Sequence, residues 1–243
     1  MPAQKYEPIY QSIKYDIQKG VYNFGDFLPS ENVYKEIFNC TRNTIRRALS
    51  ILTQEGYLLP QHGKGVKVIY RPTQKDSLFF VGGIESIKEA SIRNKVKVIT
   101  KVINFKEIKV DEKLQQRTGF NLGDDIYYIE RVRYINEKPT IFDINYFLKS
   151  ETPGLSESIA SKSVYQYLEE KLGMKITTSL RYVSAQKATN QDKKMLALNK
   201  STNFLLVVEG KVFNAKGTLF EFTESRHVPD KICFVESAVR QKI

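Results

Sequence analysis

Thr41-Arg42-Asn43-Thr44-Ile45-Arg46-Arg47-Ala48-Leu49, followed by Leu52 and by Glu55-Gly56-Tyr57, is the stretch on which the first third of the chain turns. Thr41 is a good helix N-cap, because its hydroxyl can accept from the N–H groups that a helix start leaves unpaired. Ile45, Ala48, Leu49 and Leu52 fall on one face of the helix that follows, and Arg42, Asn43, Arg46 and Arg47 on the other. Gly56 stands one place beyond the helix end, where a left-handed backbone favours glycine.

Upstream, Ile9, Ile13 and Ile17 repeat at i, i+4, i+8 and predict an amphipathic helix that stops at Gly20. Pro29 and Ser30 then open a second helix, predicted to bury Val33 and Ile37 together with Tyr34 or Phe38. A short turn through Asn39-Cys40 leads to Thr41. Downstream, Tyr57-Leu58-Leu59 and Val66-Lys67-Val68 read as two short strands around Gln61-His62-Gly63-Lys64-Gly65. Helix, turn, helix and a glycine-bearing hairpin in this order predict a winged helix-turn-helix.

Such a helix with a cationic outer face can lie in a DNA major groove. Arg42 and Arg46 can reach guanine edges or phosphates, and Asn43 suits base edges. Ser30 and Thr41, with Thr44 in the following turn, offer hydroxyl and backbone donors to phosphate. Gly63 lets the wing approach the sugar-phosphate chain, and Lys64 or His62 can enter the minor groove. A solvated helix face is the competing reading of the Arg42–Arg47 run, and a plain turn that of His62.

The charge favours the first reading. The 243 residues carry 38 Lys and Arg against 27 Asp and Glu, a formal net charge of +11, which favours a polyanionic partner. The first 75 residues hold 11 basic and 6 acidic side chains and the other 168 hold 27 and 21, so charge density is roughly twice as high at the N-terminal end. Two cysteines, Cys40 and Cys233, stand far apart without metal spacing and suit a reducing cytosol. No apolar run approaches the ~18–20 residues of a membrane span, and the first residues lack a signal peptide's apolar stretch. A secreted disulfide scaffold, a helical membrane protein and a Cys-rich zinc module are thereby excluded.

The polar stretch around Pro72 reads as a linker. The expected division is a DNA-binding domain over 1–70, a linker over 71–78 and a sensor over 79–243. In the sensor, Ile126 to Tyr146 and Phe204 to Glu224 each read strand, turn, strand at a constant offset of 78, each preceded by a short polar helix. A repeat of this kind predicts two hairpins in pseudo-symmetric roles within one antiparallel sheet, and an α+β class. Ser163 reads as a capping box with Gln166, opening a helix that carries Leu168 and Leu172 to Gly173.

Period-2 alternation puts Arg131 and Arg133 on the strand face of Tyr127 and Ile129, as a phosphate clamp or as cross-strand ion pairs. Asp143 and Glu221, at matching places in the repeat, could hydrogen-bond sugar hydroxyls or serve the fold. Ser163 could cap its helix, bind phosphate, or do both. No catalytic constellation appears: His62 and His227 lie in different domains, and no P-loop or His/Cys cluster is present. The expectation is a protein without enzymatic activity, metal or cofactor.

Leu28-Pro29-Ser30-Glu31, the Thr41–Leu49 string, Glu55-Gly56-Tyr57 and Gly63-Lys64-Gly65 resemble the GntR family of bacterial winged-helix repressors. Several members of that family carry Arg where this chain has Asn32, so by the resemblance a base contact from position 32 is either lost or differs in specificity. Residues from about 79 onward resemble the UTRA effector domain of the HutC-type subfamily, whose fold is similar to chorismate lyase. Gly83-Ile84-Glu85-Ser86, Glu130-Arg131-Val132-Arg133, Ser163-Val164-Tyr165 and Phe222 to Lys231 are similar to the branch of that subfamily that controls trehalose utilisation.

By that resemblance Ser86, Arg131, Arg133, Ser163 and Tyr165 would hold a sugar phosphate, and Asp143, Glu221 and Arg226 would face the sugar. The implied effector is trehalose 6-phosphate, the implied assembly a cytoplasmic homodimer on an inverted-repeat DNA operator. Glucosamine 6-phosphate or N-acetylglucosamine 6-phosphate is the nearest rival effector. A ligand-independent architectural DNA binder and a chorismate lyase-type enzyme are the rivals from other classes.

Overall fold

The structure is a computed structural model that describes residues 6–71, 79–81 and 84–234. Most of the stretch expected as a linker therefore lies outside the described residues, as do Gly83 and the last nine positions. The described chain divides into two compact units, the first ending before residue 77 and the second running to Phe234.

In the first unit α1 (Glu7–Gln18), α2 (Glu31–Phe38) and α3 (Arg42–Gln54) precede a hairpin of β1 (Leu58–Gln61) and β2 (Gly65–Val68). The Ile9, Ile13 and Ile17 stripe of α1 and the Ile45, Ala48, Leu49 and Leu52 stripe of α3 meet in one core with Leu58 and Val68. Each isoleucine, leucine or valine among them contributes roughly 1.5–3 kcal/mol when taken fully from water. Tyr10 and Lys14 both hydrogen-bond Glu55, 2.7 Å each, and so tie α1 to the end of α3. Gly56 is left-handed, φ 76°, as the helix stop requires.

One expectation fails in α2. Tyr34 is buried with Phe38 packed beside it, whereas Val33 and Ile37 are 44% and 62% exposed. Both pairs have i, i+4 spacing, so periodicity alone does not choose between adjacent stripes. The larger aromatic pair fills the space against α1 and α3, with ring centroids 5.9 Å apart.

The second unit is built on a six-stranded antiparallel sheet in the order β4-β5-β6-β9-β8-β7. Its strands are β4 (Val98–Lys109), β5 (Asp125–Ile135), β6 (Lys138–Leu148), β7 (Ile176–Lys187), β8 (Phe204–Asn214) and β9 (Leu219–His227). One face is covered by α5 (Glu112–Thr118) and α8 (Asn190–Met195), through Leu114 and Met195 packed on Phe222, Phe142 and their neighbours. The other carries α4 (Ile87–Asn94), α6 (Glu157–Ala160) and α7 (Val164–Gln166), the last continued by one wide turn, Tyr167–Lys171. A parallel pair, β3 (Phe79–Val81) with β10 (Ile232–Phe234), completes the unit.

The internal repeat is larger than the two hairpins. β4-α5-β5-β6 is followed in the same order by β7-α8-β8-β9, and β6 and β9 pair at the centre. Asp143 lies opposite Ser225, Asn145 opposite Thr223 and Phe147 opposite Glu221. With an offset of 78, these pairs interchange about a pseudo-dyad at Asn145 and Thr223. The constant offset does not extend to β5 and β8. Two residues join β5 to β6, but four join β8 to β9, and a bulge follows Val212. Arg131 therefore faces the side opposite to that of the residue 78 places on.

The Ser163 box forms only in part. The serine hydroxyl accepts from Gln166 N at 3.3 Å, but the Gln166 side chain turns away to Glu170 and Lys88. Leu168 is buried, while Leu172 is 37% exposed.

Candidate functional site

In the first unit Ser30 and Thr41 cap α2 and α3, accepting from Val33 N and Thr44 N at 3.4 Å each. The Thr41 and Thr44 hydroxyls share a hydrogen bond of 2.9 Å. Arg42, Asn43 and Arg46 are exposed together on the outer face of α3. Arg42 Nε donates to Asn32 Oδ1 at 3.0 Å, and Arg46 Nε to the Glu31 carboxylate at 2.9 Å. The start of α2 thus holds Arg42 and Arg46 in place. Arg47 lies over the Tyr6 ring, 4.4 Å from its centroid. His62, Gly63 and Lys64 form the exposed tip of the hairpin, with Gly63 at φ 72°. The structure thus brings the expected contacts to one helix face, two helix starts and one hairpin tip.

In the second unit a cavity opens on the face of the sheet that carries α4, α6 and α7. Ser86, Arg131, Arg133, Asp143, Ser163, Tyr165 and Glu221 all line it. The sheet register explains this convergence, since Arg131 pairs with Asp143, Asp143 with Ser225, and Phe147 with Glu221. Residues of one phase on adjacent strands share a face. Ser86 and Ser163 enter from above as the N-caps of α4 and α7. Ser86 also takes part in a full capping box with Glu89.

The charges in this cavity are unevenly matched. Arg133 Nε is ion-paired with Asp143 at 2.5 Å, and Ser225 donates to the other Asp143 oxygen at 2.6 Å. Burial pushes the Asp143 carboxyl up, but Arg133, Arg131 and Ser225 outweigh it and leave the group below the usual carboxylate range. Arg131 is 4% exposed and donates to neutral acceptors, Asn145 Oδ1 at 2.7 Å and the Ala160 carbonyl at 3.3 Å. Burial, with Arg133 beside it, lowers its guanidinium to about 10. Glu221 accepts from Tyr165 Oη at 2.8 Å and from Asn145 Nδ2 at 3.2 Å, and burial raises its carboxyl.

Arg226, expected to face the sugar, does not. It lies on the opposite face of β9, where Nε meets Asp192 and Nη1 meets Glu224, 2.8 Å each. Gln186 and the Lys187 carbonyl accept from it as well. Alternation accounts for the difference, because Arg226 and Glu221 are an odd number of residues apart on one strand.

Several lining residues were not singled out from the sequence: Asn145, Ser179, Arg181, Gly210, Thr223, Ser225 and His227. The signal for four of them was present, since Asn145 shares the phase of Asp143, and Thr223, Ser225 and His227 share that of Glu221. Gly210 leaves the sheet bare opposite Thr223, where an added Cβ would come within 3.0 Å of the threonine methyl.

Residues 5–68 match the bacterial regulatory proteins of the gntR family, and residues 93–232 match the UTRA domain. The chain belongs to the gntR family. This GntR chain is 34% identical over the full length of both proteins to the HTH-type transcriptional regulator TreR of Bacillus subtilis (strain 168). The solved effector-binding domain of the B. subtilis trehalose repressor TreR, 34% identical, covers 59% of this chain and 99% of its own with a TM-score of 0.54. The structure of the possible transcriptional regulator YydK of B. subtilis shares the fold over 96% of this chain and 99% of its own, with a TM-score of 0.81 at 24% identity.

The GntR chain is a DNA-binding transcription regulator and not an enzyme. No helix among the described residues is long and apolar enough to cross a membrane.

Proposed function

We propose that this GntR regulator is a homodimeric, cytoplasmic repressor of a trehalose-utilisation operon that leaves its operator on binding trehalose 6-phosphate. In this reading residues 1–70 bind DNA, 71–78 link, and 79–243 sense the effector. Arg42, Asn43 and Arg46 read the major groove, Ser30, Thr41 and Thr44 meet phosphate, and His62, Gly63 and Lys64 form the wing contact. Two such domains match an inverted repeat with half-sites about one helical turn apart.

The observation that carries the effector reading is Arg131: a buried cation at a cavity wall, held by neutral oxygens and next to a second arginine. Asp143 and Glu221 lie near it but neither hydrogen-bonds it, and a buried cation without a paired carboxylate is costly unless a ligand supplies the counter-charge. A phosphate ester does so, and Arg133, Ser86, Ser163 and Tyr165 surround the same space. Asp143 and Glu221 stand on the sheet floor beneath the sugar. Their oxygens accept hydroxyl hydrogens, with Asp143 also anchoring Arg133.

Release requires that the effector bind the DNA-free arrangement more tightly than the DNA-bound one. A coupling of ~1–3 kcal/mol weakens operator binding about 5–150-fold. Calorimetric titration with trehalose 6-phosphate, trehalose and glucosamine 6-phosphate, followed by operator release under the same ligands, tests the reading. Saturable binding and release by trehalose 6-phosphate alone are expected. Response to an amino-sugar phosphate instead keeps the pocket and overturns the trehalose assignment.

A further inference from the structure

We propose that His227 is an effector-contacting residue whose ring nitrogens hydrogen-bond hydroxyls on the sugar part of the ligand. The inference rests on the sugar-phosphate reading of the pocket and adds to it a residue with a distinct task.

His227 ends β9, opposite Ile141 of β6 and Leu206 of β8. It has the phase of Glu221, Thr223 and Ser225, and it lines the cavity with them. It is 3% exposed, yet neither Nδ1 nor Nε2 has a hydrogen-bond partner among the described residues. Folded proteins pair nearly all buried polar atoms, since a dry donor or acceptor bears its full desolvation cost. Two unpaired nitrogens on one ring at a cavity wall point to partners that arrive with a ligand.

The chemistry of that ligand group follows from the surroundings. Phe234 packs edge-on against the imidazole, centroids 5.2 Å apart at 84°. Burial, with Arg133 acting in the same sense and Asp143 against it, lowers the imidazole to about 4. At neutral pH the ring is uncharged, with one N–H and one lone pair. A sugar hydroxyl both accepts and donates, so it complements this ring, whereas a phosphate is matched by the guanidinium groups. In the register, Arg133 faces Ile141 and Ile141 faces His227, which sets the two residues two strands apart, about 10 Å. The pocket is thus divided into an anion end on β5 and a hydroxyl end on β9.

The test is calorimetric titration of the full-length wild-type protein and of His227→Phe with trehalose 6-phosphate, glucose 6-phosphate and inorganic phosphate. Phenylalanine keeps the ring and its contact with Phe234 but removes both nitrogens. Sugar-phosphate affinity is expected to fall about tenfold or more, with inorganic phosphate within twofold of wild type and the thermal midpoint retained. Sugar-phosphate affinity within twofold of wild type in the folded variant overturns the proposal and makes His227 a packing residue.

Should His227→Phe fail to fold, His227→Gln and His227→Leu replace it. At least tenfold tighter sugar-phosphate binding by the glutamine variant is expected, and equal affinity overturns the inference. The ligand panel separates the two readings. Wild-type protein that binds trehalose 6-phosphate with no effect of the substitution sinks the histidine alone. Wild-type preference for glucose 6-phosphate sinks the trehalose assignment, and the same affinity ratio on that ligand then judges His227. Wild-type protein that binds inorganic phosphate but neither sugar phosphate sinks both.

Discussion

Arg131 and Arg226 are 4% and 5% exposed on opposite faces of one sheet, and their company differs. Arg226 is closed by two carboxylates, a glutamine and a backbone carbonyl. Asp192, one of those carboxylates, also belongs to the Thr189 capping box at the start of α8. The arrangement staples β9 to that helix and leaves no charge to answer. Arg131 donates only to neutral oxygens, has a second arginine beside Asp143 and Glu221 among its charged neighbours, and its face opens into a cavity. Burial of an arginine therefore does not distinguish fold from function, whereas the balance of charge around it does. Desolvation is offset on one face by hydrogen-bonded carboxylates, and on the other no carboxylate hydrogen-bonds the buried guanidinium.

The most direct way to break this contrast is Arg226→Ala. It leaves Asp192 a buried anion without its cation and Glu224 with Arg117 alone, and is expected to cost ~3–5 kcal/mol, read by denaturant unfolding. Effector affinity per folded molecule should not change. A loss of effector binding in protein that remains folded would return Arg226 to the pocket.

Acid titration probes the open face next. The folded imidazole of His227 takes its proton near pH 4, against an ordinary 6.5. The unfolded chain therefore binds more protons between those values. Stability falls as pH drops through that window, by about 3 kcal/mol once pH is below 4. Glu221 works against this, because its raised carboxyl is protonated first in the fold and gains stability as pH falls. Asp143, held below the usual range, loses its contribution only at still lower pH. Unfolding free energies of wild type minus His227→Phe across pH 7 to 4 isolate the histidine. A difference that stays flat would mean that the ring is not kept neutral by burial.

Arg131→Met should give the reverse of Arg226→Ala. Removing a buried cation that no carboxylate hydrogen-bonds and that a second arginine repels is expected to leave stability unchanged or raised, while effector affinity falls about 100-fold, ~2.7 kcal/mol. Arg133→Ala mixes the two patterns because it also strands Asp143. The double change Arg133→Ala with Asp143→Ala should recover stability without recovering binding. Chemical denaturation and calorimetry on the same samples separate these outcomes.

Much of this contrast was already legible in the chain. The stripes of α1 and α3, the caps Ser30 and Thr41, and the shared phase of Arg131 and Arg133 follow from period and capping chemistry. The same period-2 rule put Arg226 out of phase with Glu221 and put His227 in phase with it. A resemblance of the whole Phe222–Lys231 string set that rule aside for Arg226. Other features were not legible. The Tyr34–Phe38 and Val33–Ile37 stripes of α2 have one period, and only packing against α1 and α3 selects the aromatic pair. The offset of 78 fails in β8 because a longer turn and a bulge shift the strand, and neither leaves a mark in hydrophobic periodicity.

The smallest effects are expected where arginines are exposed. Arg42 sits on the α3 surface and is steadied by Asn32, the residue that stands where several GntR members have arginine. Exposed polar pairs contribute little to folding, so Arg42→Ala should leave stability within ~0.5 kcal/mol. If Arg42 reads a base, the substitution costs ~1–3 kcal/mol of operator affinity and relaxes specificity at one position. A loss equal on all sequences makes it a phosphate contact and lowers the salt slope by about one. Asn32→Ala removes only the brace and should cost less than Arg42→Ala, below ~1 kcal/mol. In the double variant it should add nothing, because a brace has no effect once the side chain it holds is gone. Additive losses in operator titrations would instead give Asn32 its own contact with DNA. The α2 start would then read sequence directly.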